Sequence, residues 1–170
     1  MDLRVQKIYI AGPDVFEKDA VAIGKRYQEL CREYGFEGLY PLDNEVDFSV
    51  GKQEAARLIF EANKKMIDNC DIVIANLNPF RGKESDSGTV WECGYAFAKG
   101  KKVYGYMSDT REYLQRFDEN EKVQEEGRFY DIQGRAIEDF SYPLNLMLAC
   151  SIEIVKGGFE DALKAVSTSV

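Results

Sequence analysis

The stretch Asp71-Ile72-Val73-Ile74-Ala75-Asn76-Leu77 constrains the fold more than any other part of the chain. It is too short for an ordinary helix, and β-branched and small apolar side chains dominate it. A run of that kind is a strand covered on both faces, which is the condition of an interior strand in a parallel sheet. Parallel neighbours must be joined by a crossover, normally a helix. The rest of the chain supplies that alternation. Lys7-Ile8-Tyr9-Ile10-Ala11 reads as a strand that stops at Gly12-Pro13, where Asp14 can cap the following helix. Apolar positions at Val15, Phe16, Ile23, Tyr27, Leu30 and Tyr34 recur at helical spacing, giving a helix over most of 17–34 that Gly35 ends. Phe36 to Pro41 reads as the second strand. A helix over about 53–69 carries Ala56, Ile59, Phe60, Asn63, Met66 and Ile67 on one face.

After the loop 78–85, a helix is expected from Ser87 to Lys99 and a strand from Lys102 to Met107. A strand from Ser151 to Val155 and a helix over about 158–167 complete the pattern. This order predicts an α/β fold: a doubly wound, flavodoxin-like, five-stranded parallel sheet flanked by helices, with right-handed crossovers. Ligands in such sheets sit at the carboxyl ends of the strands, near the topological switch point. With 170 residues and 45% hydrophobic content, the chain has length for one core, so residues 1–170 are expected to form one domain. Residues 108–150 break the rhythm. That excursion is charged yet carries Tyr113, Phe117, Phe129, Tyr130, Phe140 and Tyr142, as a partly helical lid or subunit contact would.

The inventory narrows the chemistry. There is no histidine, so Ser-His-Asp triads, Cys-His dyads and His-ligated zinc are excluded. Acid–base work falls to carboxylates, tyrosine, cysteine or lysine. The cysteines Cys31, Cys70, Cys93 and Cys150 form no CxxC pair and each sits among apolar neighbours, the setting of buried reduced thiols in a reducing, cytoplasmic compartment. No segment reaches the roughly 18 apolar residues of a membrane span, and the start of the chain lacks a signal-peptide core. A net charge of −8 argues against polymeric nucleic acid as a partner.

The stretch from Asp86 to Tyr95, directly after the apolar strand, places two carboxylates six positions apart across a loop entering a helix. A glutamate on the second turn of a helix is ordinarily a solvated residue. Here Val90, Cys93, Gly94 and Phe97 read as the packing stripe, with Glu92 at its edge, and Gly88 and Gly94 leave room for a ligand. The helix N-terminus favours an anion, so Glu92 should stay ionised unless buried. An ionised carboxylate facing a cleft can act as a nucleophile.

In five ordered blocks the chain resembles the nucleoside 2-deoxyribosyltransferases. They are Ile8-Tyr9-Ile10-Ala11-Gly12-Pro13 with Val15-Phe16, then Pro41-Leu42-Asp43-Asn44-Glu45, then Asn63 to Asp71, then Asp86 to Ala96, then Pro143-Leu144-Asn145-Leu146-Met147. The resemblance implies transfer of a 2-deoxyribosyl group between nucleobases through a covalent sugar–enzyme, on 2-deoxynucleosides and free bases, with no cofactor and no metal. It implies Glu92 as nucleophile, Tyr9 as the group that orients it, and Asp86 as acceptor of the sugar 5-prime hydroxyl. The bland readings are a packed tyrosine for Tyr9 and an N-cap for Asp86. Gly12, Asp14, Phe16, Asp43, Glu45 and Gly88 fall in substrate-binding blocks. Asn145 and Met147 fall in a segment that in the family reaches a neighbouring subunit, which implies a homo-oligomer, dimer or hexamer. The resemblance also carries a departure: better-known members have an aspartate where Asn63 stands, placed to protonate the leaving base. An amide holds no titratable proton, which leaves Asp14, Asp43, Glu45 or water as the donor.

Three functions remain open on these residues: the transferase, a nucleoside or nucleoside 5-prime-monophosphate N-glycosidase using the same nucleophile, and a non-enzymatic nucleotide sensor. Relatives that hydrolyse monophosphates carry a serine where Asp86 stands, and a carboxylate there repels a phosphate dianion. Ser85 and Ser87 keep the phosphate reading open. The absence of G-x-G-x-x-G after the first strand argues against dinucleotide binding.

Overall fold

The computed structural model describes residues 4–169; residues 1–3, part of the start searched for a signal peptide, and residue 170 lie outside the described residues. In chain order the elements are β1 (Lys7–Ala11), α1 (Ala20–Glu33), β2 (Glu37–Leu39), α2 (Lys52–Asn69), β3 (Ile72–Asn76), α3 (Ser87–Ala98), β4 (Lys102–Met107), β5 (Lys122–Glu125), β6 (Arg128–Asp131), α4 (Leu146–Ala149), β7 (Glu153–Lys156) and α5 (Phe159–Thr168). Five strands pair in parallel in the order β2-β1-β3-β4-β7. The expected doubly wound sheet is therefore present, and its strand order reverses between β1 and β3.

Period-two alternation divides the core between the two faces of this sheet. Ile8, Ile10, Ile72, Ile74, Tyr104 and Tyr106 point toward α1 and α5, where Cys31, Phe159, Leu163 and Val166 meet them. Tyr9, Ala11, Val73, Ala75, Val103 and Met107 point to the other side, against Ile67 of α2 and Cys93 and Ala96 of α3. Each fully buried Val, Ile or Leu contributes about 1.5–3 kcal/mol. An exposed ion pair contributes about 0–1 kcal/mol, so this two-sided core and not the surface charge holds the layers together.

Several expectations are corrected. Val15 and Phe16 do not belong to the first helix: Pro13–Phe16 forms a separate 3-10 turn, and Asp14, inside it, caps nothing. The residue before α1 is Asp19, whose side chain makes no cap bond. On α2 the buried residues are Ala55 and Ile67, while Ala56, Ile59 and Phe60 are exposed. The expected Ile67 is buried and Met66 packs against the core, so the C-terminal half of the expected face meets the sheet and its N-terminal half does not. Similarly, α3 buries Thr89, Cys93 and Ala96, and leaves Gly94 and Phe97 exposed. Cys31, Cys70 and Cys93 are buried, but Cys150 is exposed.

The excursion over 108–150 is less helical than expected. Its center is the antiparallel hairpin β5–β6, turned through Glu126 and Gly127 at φ of 48° and 81°. Two successive left-handed residues make the tight turn whose twist suits a hairpin. Among the described residues no helix is long and apolar enough to cross a membrane.

Candidate active site

A cavity of about 420 Å³ opens beside the carboxyl ends of β1 and β3, where the strand order reverses. Its polar end carries Gly12, Asp86, Gly88 and Glu92, and its wall carries Val15, Phe16, Leu42, Phe48 and Ile59 with the amides of Asn44 and Asn63. The backbone comes very close at Gly12. A Cβ there would meet Asp14 Oδ2 at 2.6 Å and Asn76 Cβ at 2.8 Å, so only glycine fits.

Strand alternation brings Glu92 and Tyr9 together. Tyr9 follows Ile8 on β1 and therefore faces α3, where its hydroxyl donates to Glu92 Oε1 at 2.7 Å. Tyr9 is fully buried. Burial pushes the Glu92 carboxyl up to about 7; the Asp86 charge adds to this and the Tyr9 hydrogen bond opposes it. The condition attached to the helix-end expectation is met: desolvation at Glu92 outweighs the pull of the helix N-terminus toward the ionised form. The Tyr9 phenol is raised in turn, by burial first and then by Glu92.

Asp86 does what its position before α3 suggested: its Oδ2 accepts from the Thr89 backbone N–H and hydroxyl, both at 2.9 Å. It also lines the cavity, so the cap and a ligand contact are compatible at one carboxylate. Asn63 lines the same cavity and its Oδ1 is buried without a hydrogen-bond partner. A buried polar atom left unpaired costs about 1–3 kcal/mol. Phe16 stands half-exposed at the rim, its ring stacked on Phe80 at 5.5 Å with the Arg81 guanidinium 5.3 Å from the Phe16 centroid.

Other residues singled out from the sequence fall outside the cavity wall. Asp14 faces a bridge between loops, accepting from Asn76 Nδ2 at 3.0 Å and from the Tyr27 hydroxyl at 3.3 Å. Asp43 accepts from the Tyr40 backbone N–H and from Gln28. Glu45 is exposed and off the wall. Asn145 caps α4 through Met147 N–H and donates to Glu138. With Met147, Gly94, Ser87 and Phe97 it lines a separate groove of about 500 Å³. Ser85 gives its hydroxyl to the Leu77 carbonyl at 2.8 Å, so neither serine beside Asp86 lines the Glu92 cavity.

Sequence reasoning missed the asparagines that tie the loops together. Asn76 Oδ1 accepts from the Asn78 backbone and side chain, and Asn78 Oδ1 accepts from Ser108. The signal was the pair Asn76 and Asn78 closing an otherwise apolar strand. Among the described residues no group of three His, Cys, Asp or Glu side chains has the geometry to hold a metal ion.

A half-buried carboxylate hydrogen-bonded to a phenol, beside a second carboxylate in a largely apolar cleft, can attack an electrophilic carbon of a small polar ligand. Known proteins resemble this chain over most of its length. A 2-desoxiribosyltransferase from Leishmania mexicana is 33% identical, with a TM-score of 0.76 over 96% of this chain and 97% of that one. A 2-deoxyribosyltransferase from Bacillus psychrosaccharolyticus, 20% identical with a TM-score of 0.59 over 95% of each chain, shares the fold. An uncharacterized Schizosaccharomyces pombe protein is 34% identical over 113 residues, 65% of this chain and 54% of that protein, so the chain spans about half the length of this curated relative. The sequence pattern of the nucleoside 2-deoxyribosyltransferases matches residues 8–147, which takes in β1, the cavity and Asn145, and the chain belongs to that family.

Proposed function

We propose that the protein transfers a 2-deoxyribosyl group from a 2-deoxynucleoside to a second nucleobase, with Glu92 as nucleophile. The carrying observation is the Tyr9–Glu92 hydrogen bond of 2.7 Å at the floor of a cavity that also presents Asp86. Glu92 Oε attacks C1-prime as the bond to the base nitrogen breaks and its electron pair leaves with the base. The transition state has oxocarbenium character, and a second attack from the same face returns the sugar with net retention. Tyr9 holds the carboxylate in register. Asp86 accepts the 5-prime hydroxyl while its other role fixes the start of α3.

The same cavity supports nucleosides over their monophosphates. Asp86 would repel a phosphate dianion. Ser85 is committed to a carbonyl and Ser87 lies on the other groove, so the two neutral donors that kept phosphate open are turned away. Asn145 does not line the cavity of its own chain; its proposed action is on the site of a second copy.

Incubation with a deoxynucleoside and a different base, followed by chromatography, tests the reading. A new deoxynucleoside is expected. Free deoxyribose alone would replace transfer by hydrolysis, and binding without turnover would favour a sensor. Full activity in Glu92→Ala would sink the covalent route.

A further inference from the structure

A base that leaves a nucleoside must gain a proton or depart as an anion, and the cavity supplies little to help it. Among the described residues the titratable side chains on the wall are Asp86 and Glu92. In the proposed reaction Glu92 is engaged at C1-prime. Asp86 accepts two hydrogen bonds from Thr89 through one oxygen, which is acceptor work. Tyr9 already gives its O–H to Glu92, and burial makes that phenol a poorer acid still. The carboxylates expected from the sequence are held elsewhere: Asp14 by Asn76 and Tyr27, Asp43 by Tyr40 and Gln28, while Glu45 is exposed off the wall. Of the two amides, Asn44 donates to the Pro41 carbonyl and the Met66 sulfur. Asn63 has no protein partner for Oδ1 and holds no ionisable proton.

We propose that Asn63 is the specificity-determining residue of the site, and that it makes the enzyme select 2-deoxynucleosides by how readily their base leaves without a side-chain acid. The inference rests on Glu92 being the nucleophile. In the first step the C1-prime–O bond to Glu92 forms and the C1-prime–N bond breaks. The electron pair stays on the base nitrogen, which an Asn63 Nδ2–H stabilises by donating one hydrogen bond and which water then protonates. In the second step the acceptor base gives its N–H proton to water, its nitrogen attacks C1-prime, and the electron pair of the broken ester returns to Glu92. Bases with an acidic N–H are therefore the preferred donors.

The test is single-turnover kcat/KM on 2-deoxynucleosides of 6-substituted purines of similar size and graded N–H acidity, at about pH 8. Brønsted behaviour without an acid predicts a fall on the order of five- to tenfold for each unit rise in the pKa of the leaving base. Asn63→Asp is expected to flatten the series, because an aspartate with one oxygen desolvated in this position would hold a proton to give. A flat series in the wild type overturns the proposal, whichever chain supplies the proton. So does an unchanged slope in a folded Asn63→Asp. Asp14→Asn, Asp43→Asn and Glu45→Gln provide a second measurement: the slope is expected to stay as it is, and steepening in any one names that carboxylate as the acid instead. Mass spectrometry of the quenched mixture separates the underlying reading, since a missing deoxyribosyl adduct on Glu92 sinks the nucleophile itself, and with it this inference, whatever the slope.

Discussion

Glu92 bears two opposed demands. Burial favours its neutral form, and the nucleophile it is proposed to be must be ionised. The Tyr9 hydroxyl favours ionisation, so it works against burial and Asp86 to hold the group at about 7. Removing that donor in Tyr9→Phe moves the rising limb of the pH–rate profile above 7, and one unit of displacement costs about tenfold in ionised fraction near neutral pH. A limb left in place would show that the hydrogen bond does not control the charge. Stability gives an independent check. Because the folded-state value is raised above the unfolded one, the folded state binds the extra proton, and stability falls as pH rises from about 4.5 to about 7 and is level above. Glu92→Gln mimics the protonated side chain. It is expected to abolish transfer, leave Tm nearly unchanged near pH 4, and raise it by several degrees at pH 8; a Tm that falls at pH 8 would contradict a carboxylate whose charged form is penalised by burial.

At the scale of elements, the start of α3 does two jobs with one side chain. Asp86 satisfies the Thr89 N–H, an orphan donor of the helix end, and faces the cavity. The two jobs separate by substitution. Asp86→Asn keeps a good N-cap, so its Tm should stay within a degree or two while KM for the nucleoside rises. Asp86→Ala should raise KM and also lose about 1 kcal/mol of stability, read by denaturant unfolding. Equal losses of stability in both would mean that charge, not the cap, holds the helix start. Among the elements, β1, β3, α3 and β4 were legible because their apolar runs are bounded by Gly12, Gly100 and loop residues. The stripe on α2 was not, because periodicity gives a helix's spacing but not which of two apolar edges turns to the sheet. Ile59 and Phe60 are as apolar as Ala55, yet face the cavity side and the Trp91 ring. The hairpin β5–β6 was hidden by its charges, which suit an exposed ribbon as well as a helix.

For the whole molecule, the separation of Asn145 from the Glu92 cavity is the main structural fact. The groove that holds Asn145 also exposes Phe97 and Met147, at 54% and 73%, as an apolar surface between α3 and α4. If Asn145 completes the site of a second copy, co-refolded Glu92→Gln and Asn145→Ala protomers recover transfer that neither variant shows alone. No recovery, with mixed oligomers shown by native mass spectrometry, would mean each chain carries its own site. By itself the sequence determined the sheet, the sixfold spacing of Asp86 and Glu92 across the entry to α3, and the absence of histidine chemistry, because apolar periodicity, turn residues and inventory are local properties. It marked Glu92 by its place at the edge of the α3 stripe, and Tyr9 only by resemblance. Only the tertiary structure decided which groups share the cavity. Asp14, Asp43 and Glu45 lie within a few residues of its wall, and backbone direction and competing partners, Asn76, Tyr40 and Gln28 among them, turn them away or leave them outside. Burial of Glu92, which sets its charge, likewise depends on packing among residues distant in sequence, and no local pattern encodes it.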